Sequence, residues 1–204
     1  FNLEDPDNIS NPVLTGKEVN DINASFVADP FMVAKKKEYF MFFEVLNCKN
    51  NQGDIAYATS KDGKEWNYQK VIIDEKFHLS YPYVFEWNGE YYLIPESNEN
   101  FSVRLYKATK FPTEWEYLGN ILYGYRYTDP SIFYYKDRWW LFVSNIKHNV
   151  LNLYFSESLL EGWKSHPKNP IRKSDKNYSR PAGRVIKYNN KIYRLAQDDA
   201  PNYG

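Results

Sequence analysis

Apolar and polar positions alternate along this chain with a period of two. Glu90-Tyr91-Tyr92-Leu93-Ile94 and Arg104-Leu105-Tyr106-Lys107-Ala108 typify the runs, which read as short strands with one face toward a core. β-branched and aromatic residues fill them, and Asn-Gly, Asp-Gly or Lys-rich turns separate them. Asn88-Gly89 between two apolar runs predicts a tight hairpin, because a turn of the favoured hand needs positive φ. Lys61-Asp62-Gly63 marks another turn. The one helical candidate is short, Ser156 to Leu160. The lead-in, residues 1–23, is rich in Asp, Asn, Pro and Ser around one predicted strand, PVLTGKEV from Pro12.

These strands recur as a unit. YTDPSIFYYKDRWWLF from Tyr127 is matched by VADPFMVAKKKEYFMFF from Val27, SYPYVFEWNGEYYLIP from Ser80 and SRPAGRVIKYNNKIYRLA from Ser179. Their prolines, Pro30, Pro82, Pro130 and Pro181, stand 52, 48 and 51 residues apart. A second landmark gives the same step: Tyr57, Tyr106 and Tyr154 precede Trp66, Trp115 and Trp163 in three ungapped strings. A fixed period near fifty residues means an array of one repeated unit. Four strands per unit at that period predict an all-β fold, a β-propeller of four-stranded antiparallel blades. The expectation is one propeller domain over residues 1–204, with repeats starting near 24, 77, 125 and 176. A five-bladed type is expected, cut in its fourth or fifth blade, because the fourth unit reaches Gly204 where its third strand is due. PVLTGKEV could then close the ring as an outermost strand.

Composition sharpens this picture. Aromatics make up 19% of the 204 residues, with nineteen tyrosines, a load suited to blade-to-blade packing. Most Trp and Tyr residues, including the six landmarks, are therefore expected in the core. Lys+Arg and Asp+Glu balance at 26 each, which gives no electrostatic footprint for nucleic acid. No apolar run is long enough to span a bilayer. The lone Cys48 excludes an intramolecular disulfide and a cysteine-based zinc site. A chain beginning at Phe1 is expected to be a trimmed or processed product, and the compartment stays open.

In a propeller the first strand of each blade lines the channel, so the residues before the repeated prolines should meet there: Asp29, Tyr81, Asp129 and Arg180. Two carboxylates, a phenol and a guanidinium on one rim suit binding of a sugar. The competing explanation is local, since proline drives the preceding residue to extended backbone and its polar side chain closes a turn. Two Asp-Pro pairs at equivalent positions favour the functional reading. Glu44, Glu96 and Asp198 follow the aromatic strands at similar repeat positions and are balanced between rim ligands and sheet-edge residues. His78 is a candidate for the same cavity, whereas His148 and His166 fall in turns and receive no role. Gly-rich phosphate loops and the H-E-x-x-H and G-x-S-x-G motifs are absent from the sequence.

ADPF in the first unit and TDPSIFYYKDRWWLF in the third resemble blade motifs of the five-bladed glycosidases of the family-43, family-32 and family-68 group. That resemblance implies Asp29 as base or nucleophile and Asp129 as the acid that orients the site and tunes its neighbour. It implies a glutamate in the slot before the fourth proline as general acid. Here the slot holds Arg180, which cannot give up a proton at neutral pH, leaving Glu96 or Glu44 as a replacement donor from another blade. Over nearly the whole chain, FVADPF, HLSYPYVFE, YLIPES, WWLF, HPKNPI, SRPAG and YRLAQD resemble the N-terminal propeller domain of glucosamine inositolphosphorylceramide transferases and bacterial relatives. The likeness implies a module for a carbohydrate or glycolipid head group beside a linked transferase domain.

Three functions follow as alternatives. One is a glycan-active propeller that hydrolyses or transfers a glycosyl unit with Asp29, Asp129 and Glu96, while Arg180 binds a negatively charged or hydroxyl-rich group. Another is a recognition module using the same rim with Tyr81 as a stacking surface. The third is a scaffold that binds protein at its ends. No cofactor is expected; a channel calcium would suit propellers of this kind, but no oxygen-ligand loop is visible.

Overall fold

A computed structural model describes residues 9–201. Strands β1 (Ala24–Lys35), β2 (Glu38–Asn47), β3 (Gln52–Ser60) and β4 (Asn67–Ile73) pair in chain order as the first blade. The second blade is β5 (Ser80–Trp87), β6 (Glu90–Ser97), β7 (Ser102–Lys110) and β8 (Glu114–Tyr123). The third holds β9 (Tyr127–Tyr134), β10 (Trp139–Asn145) and β11 (Val150–Ser156), with an outer strand split into β12 (Lys164–Ser165) and β13 (Arg172–Lys173). Asn169 bridges that split: its amide donates to the Leu153 carbonyl (2.7 Å) and accepts from the Leu153 N–H (2.8 Å), standing in for strand pairing. A hairpin, β14 (Ile186–Tyr188) and β15 (Lys191–Tyr193), opens the fourth unit.

All the inner hairpins close with two residues. Asn88-Gly89, Lys136-Asp137 and Asn189-Asn190 take positive φ at both positions, the hand that matches strand twist. Because successive strands are antiparallel, these turns lie at one end of the molecule, here called lower. The starts of β1, β5 and β9, the β2–β3, β6–β7 and β10–β11 turns and the links between blades lie at the other, upper end.

The main core runs between the blades. Phe42, Ile55, Leu79, Leu93, Ile94, Leu105, Ile132 and Leu141 are fully buried in it, and Trp115 and Trp163 pack against its edge. Tyr57 and Tyr106 are buried there as expected, and Tyr154 is half-buried against it. A smaller cluster on the far face of the first blade joins Met41, Phe43, Val45 and Ala56 to Leu14 and Val19, with Trp66 alongside.

Two local expectations fail. PVLTGKEV forms no strand; Thr15 caps a single 3₁₀ turn, Gly16–Glu18, and its N–H donates to Glu18 (2.7 Å). This reciprocal capping satisfies the backbone locally, and Leu14 and Val19 are buried on the first blade without strand pairing. Ser156 ends β11 and Glu157 to Leu160 is a series of bends, in which the Ser156 hydroxyl accepts from the Ser158 N–H (3.1 Å) and thus competes with helix.

Candidate functional site

The channel residues are set by one device used three times. Pairing of each innermost strand with its neighbour slips at the proline, between Ala28 and Phe31, Ser80 and Tyr83, and Thr128 and Ser131. The residue before each proline was expected to be extended. Instead Asp29, Tyr81 and Asp129 have φ of 52°, 46° and 49°, the left-handed region that L-residues enter only when their surroundings hold them there. These are β-bulges, and a bulge withdraws an N–H from the ladder. The freed N–H of Tyr81 favours the ionised form of the Asp29 carboxylate, and that of Asp129 donates to Glu96 Oε2 at 2.9 Å. The third blade thus anchors a carboxylate of the second.

The deepest group is Asp129, 1% exposed. Arg180 grips it, with Nε donating to Oδ2 (2.6 Å) and Nη2 reaching Oδ1 (3.4 Å). The same guanidinium lies 3.7 Å from Asp199 Oδ1. Asp199 Oδ2 in turn meets His148 Nδ1 at 2.6 Å, a geometry that puts the proton on Nδ1 with the carboxylate as acceptor. The 3.5 Å approach of Arg180 Nη1 to that nitrogen then joins two donors and adds no bond. Burial, and then the Arg180 charge, hold the His148 pKa below its usual value, so the ring is neutral.

Glu96 is buried on β6, where Asn98 donates to Oε1 and Asp129 to Oε2. Burial raises its pKa, while those two bonds and Arg180 pull against the rise. Asp129 is pushed well above the usual carboxylate range, first by burial and then by Glu96. Asp29 is raised by burial and by repulsion from Glu44. Three carboxyl groups therefore crowd the channel, with the Arg180 guanidinium against Asp129 and Asp199, and ionising all three together is unfavourable.

Glu44 and His78 form a second pair beside Asp29. His78 Nε2 lies 3.2 Å from Glu44 Oε1, and Nδ1 accepts from the Gly53 N–H (3.0 Å), so the proton sits on Nε2. The Glu44 carboxylate raises the His78 pKa. Gly53 is obligatory here: a Cβ would lie 2.3 Å from the Leu79 carbonyl oxygen and 2.9 Å from both Glu44 Oε1 and the His78 ring.

Among these acids Asp29 lines a pocket, about 260 Å3 in volume, walled by Phe31, Tyr81, Gly183 and Gln197. Tyr81 offers no stacking face. It is 3% exposed, its ring meets Phe31 edge-on at 4.7 Å, and its hydroxyl contacts Ser131 (3.0 Å) and accepts from the Gly183 N–H. Asp198 stays outside the channel: it is exposed, and its carboxylate accepts from the Ala200 N–H (3.2 Å). Its neighbour Asp199 is the acid that faces Arg180. Asp199, His148, Asn98 and Gln197 were not singled out from sequence. Asp199 is adjacent to Asp198, and Gln197 N donates to the Arg180 carbonyl (3.0 Å), which brings this stretch beside the channel. Nothing in the sequence marks His148, which reaches the network from a turn. Among the described residues, no group of three or more His, Cys, Asp or Glu side chains could hold a metal ion.

The fold is that of the β-propeller glycoside hydrolases. Over 85% of its length the chain superimposes on the exo-beta-1,3-galactanase 1,3Gal43A of Clostridium thermocellum, with a TM-score of 0.71, 18% identity and 41% of that enzyme covered. For the exo-beta-1,3-galactanase of Phanerochaete chrysosporium, solved with beta-1,3-galactotriose, the TM-score is 0.73 at 15% identity, covering 86% of this chain and 43% of that one. The sequence profile of the family described as glucosamine inositolphosphorylceramide transferase 1, N-terminal, matches residues 5–204, and the chain belongs to that family. It is 39% identical over 206 aligned residues to glucosamine inositolphosphorylceramide transferase 1 of Oryza sativa subsp. japonica and 35% identical to that of Arabidopsis thaliana. Each alignment takes in 96% of this chain but only 28% and 27% of those relatives.

Proposed function

We propose that this propeller is a recognition module that holds a neutral or amino-bearing sugar at the channel mouth against Asp29, and does not cleave it. The observation that carries this reading is the 2.6 Å Arg180–Asp129 ion pair. It fills the slot where the glycosidase resemblance requires a proton donor. Glu96, the alternative donor, is buried and accepts hydrogen bonds on both oxygens, so it is poorly placed to protonate a leaving group. An anionic group is disfavoured by the crowded carboxyl groups, while an amine or hydroxyl relieves their repulsion. The names of the family and its relatives contain glucosamine, whose amine would suit Asp29. Those relatives are also much longer than this chain, which supports a role in positioning the sugar for a linked transferase domain.

The test is calorimetric titration of the chain with glucosamine, glucose and galactose, beside Asp29→Asn, together with an assay of chromogenic glycosides. The reading expects binding of at least one sugar, weakened about 10- to 100-fold by Asp29→Asn through loss of a charge-assisted hydrogen bond, and no turnover. Turnover that Glu96→Gln abolishes would make the domain a hydrolase instead. Sugar binding that ignores Asp29→Asn would remove the proposed site.

A further inference from the structure

The upper end of the propeller carries a crown of exposed apolar side chains that the channel does not use. Tyr123 is 78% exposed, Tyr125 71%, Tyr178 57%, Phe101 54% and Ile146 48%. Large apolar residues exposed singly are ordinary. These five sit on three loop systems around one channel mouth: the β6–β7 turn with the β8–β9 link, the β10–β11 turn, and the link from the third to the fourth blade. Toward the lower end stand Met32 (52%), Tyr188 (48%), Tyr117, Tyr39, Leu160 and Ile192, on separate strands and turns.

Cations stand between the crown residues. Arg126, Lys147, Lys173 and Lys176 are exposed on the same loops, against exposed Glu99 and Asp198. Arg126 donates to the neutral Asn98 Oδ1 from Nε and Nη2 (3.2 and 2.8 Å), a partner that does not cancel its charge. The rim is thus positive around a channel lined with acid.

The crown is held to the channel and does not hang from loose loops. The Gly124 N–H donates to the Phe101 carbonyl (2.8 Å), joining two of its loops. Asn98 spans from Arg126 to Glu96. Ile146 and Lys147 adjoin His148, which bonds Asp199.

We propose that this upper end docks on the surface of an anionic bilayer, with the channel mouth opening onto lipid head groups. Tyrosine and phenylalanine at an interface place an apolar body beside a polar or charged shell, and Lys and Arg add attraction to anionic lipid. A platform for a long glycan would instead group its aromatic faces along one groove, whereas these are spread over three loop systems. The inference goes beyond the sugar-binding reading: a soluble sugar would still reach Asp29 if docking failed.

The experiment is sedimentation of the chain with phosphatidylcholine vesicles and with phosphatidylcholine–phosphatidylinositol vesicles in a two-to-one ratio. The chain should sediment with the anionic vesicles, less so as salt rises. Lys147→Ala and Lys176→Ala should each lower the partition coefficient about fivefold. The triple variant F101S/Y123S/Y125S should stay in the supernatant with an unchanged melting curve, and I146S/Y178S, on other loops, should weaken binding independently. Wild-type chain left in the supernatant, or both crown variants sedimenting like wild type, would overturn the proposal. So would crown variants that keep vesicle binding but lose binding to soluble oligosaccharides.

Discussion

Arg180 can be read as a lock on Asp129 or as a ligand for substrate, and a double-mutant cycle separates the two. Arg180→Met removes the cation but keeps much of the side-chain volume. Asp129 then remains buried and ionisable beside Glu96 and Asp29, with no guanidinium bonded to it. Breaking a buried pair from one side typically costs about 3–5 kcal/mol, because an unpaired charge is left in the interior. Asp129→Asn should cost less, since Arg180 keeps Asp199 at 3.7 Å and the asparagine oxygen still accepts one N–H. The double variant removes both charges, so its cost should fall short of the sum by about 2 kcal/mol or more. Urea unfolding at neutral pH measures all three. Acid should relieve Arg180→Met selectively, because a protonated Asp129 no longer needs the cation. Additive costs, or an Arg180→Met cost under about 1 kcal/mol, would refute the lock. Intact stability with selective loss of an anionic sugar would make Arg180 a ligand.

Two further predictions concern the first blade. Asp54 is 1% exposed and its pKa is raised to about 6 from 3.8, by burial and then by Asp74 against the opposing bond from Asn47. Between those values the folded chain holds a proton that the unfolded chain releases, so this contribution is full below about pH 4 and is lost as pH rises through 6; Asp54→Asn should raise the neutral-pH melting temperature and flatten its pH dependence, and an unchanged pH profile would contradict this. Gly53→Ala should destabilise by about 1–3 kcal/mol, by forcing Leu79 away from a Cβ 2.3 Å from its carbonyl oxygen. Urea unfolding checks it, and a cost below about 0.5 kcal/mol would show that Leu79 moves freely.

The repeat was legible because each landmark has a local physical cause. Asn88-Gly89 states its hairpin outright, and the aromatic runs state their burial through alternation. Lys136-Asp137 closes a turn of the same hand without a glycine, and only its place in the period predicts it. The lead-in misled because PVLTGKEV is apolar enough for a strand, while Thr15 and Glu18 together form a cap that period counting ignores. The site was half legible. Asp29, Asp129, Tyr81 and Arg180 were found by their shared slot, but a slot indicates position and not partner. That Arg180 would be spent on Asp129 depends on how far one blade is turned against another, which no local pattern encodes. Asp198 was preferred to Asp199 by simple alignment, and a shift of one residue along an extended chain turns a side chain to the opposite side.

On the proposed reading, the contacts within the channel explain how a propeller of this kind can keep its acids without a proton donor. Glu96 takes the Asp129 N–H and the Asp129 carboxylate takes the Arg180 guanidinium, so these groups hold the channel together whether or not any bond is broken there. Asp129 thus has a structural role of its own, and its presence is weak evidence of hydrolysis. Arg180 carries more information, because a donor slot filled by a guanidinium is chemically incompatible with general acid catalysis. It also stabilises the buried Asp129 that hydrolysis would otherwise leave to substrate and solvent. An acid channel stabilised in this way can remain open to a sugar at Asp29, and sugar affinity and bond cleavage become separable properties of one architecture.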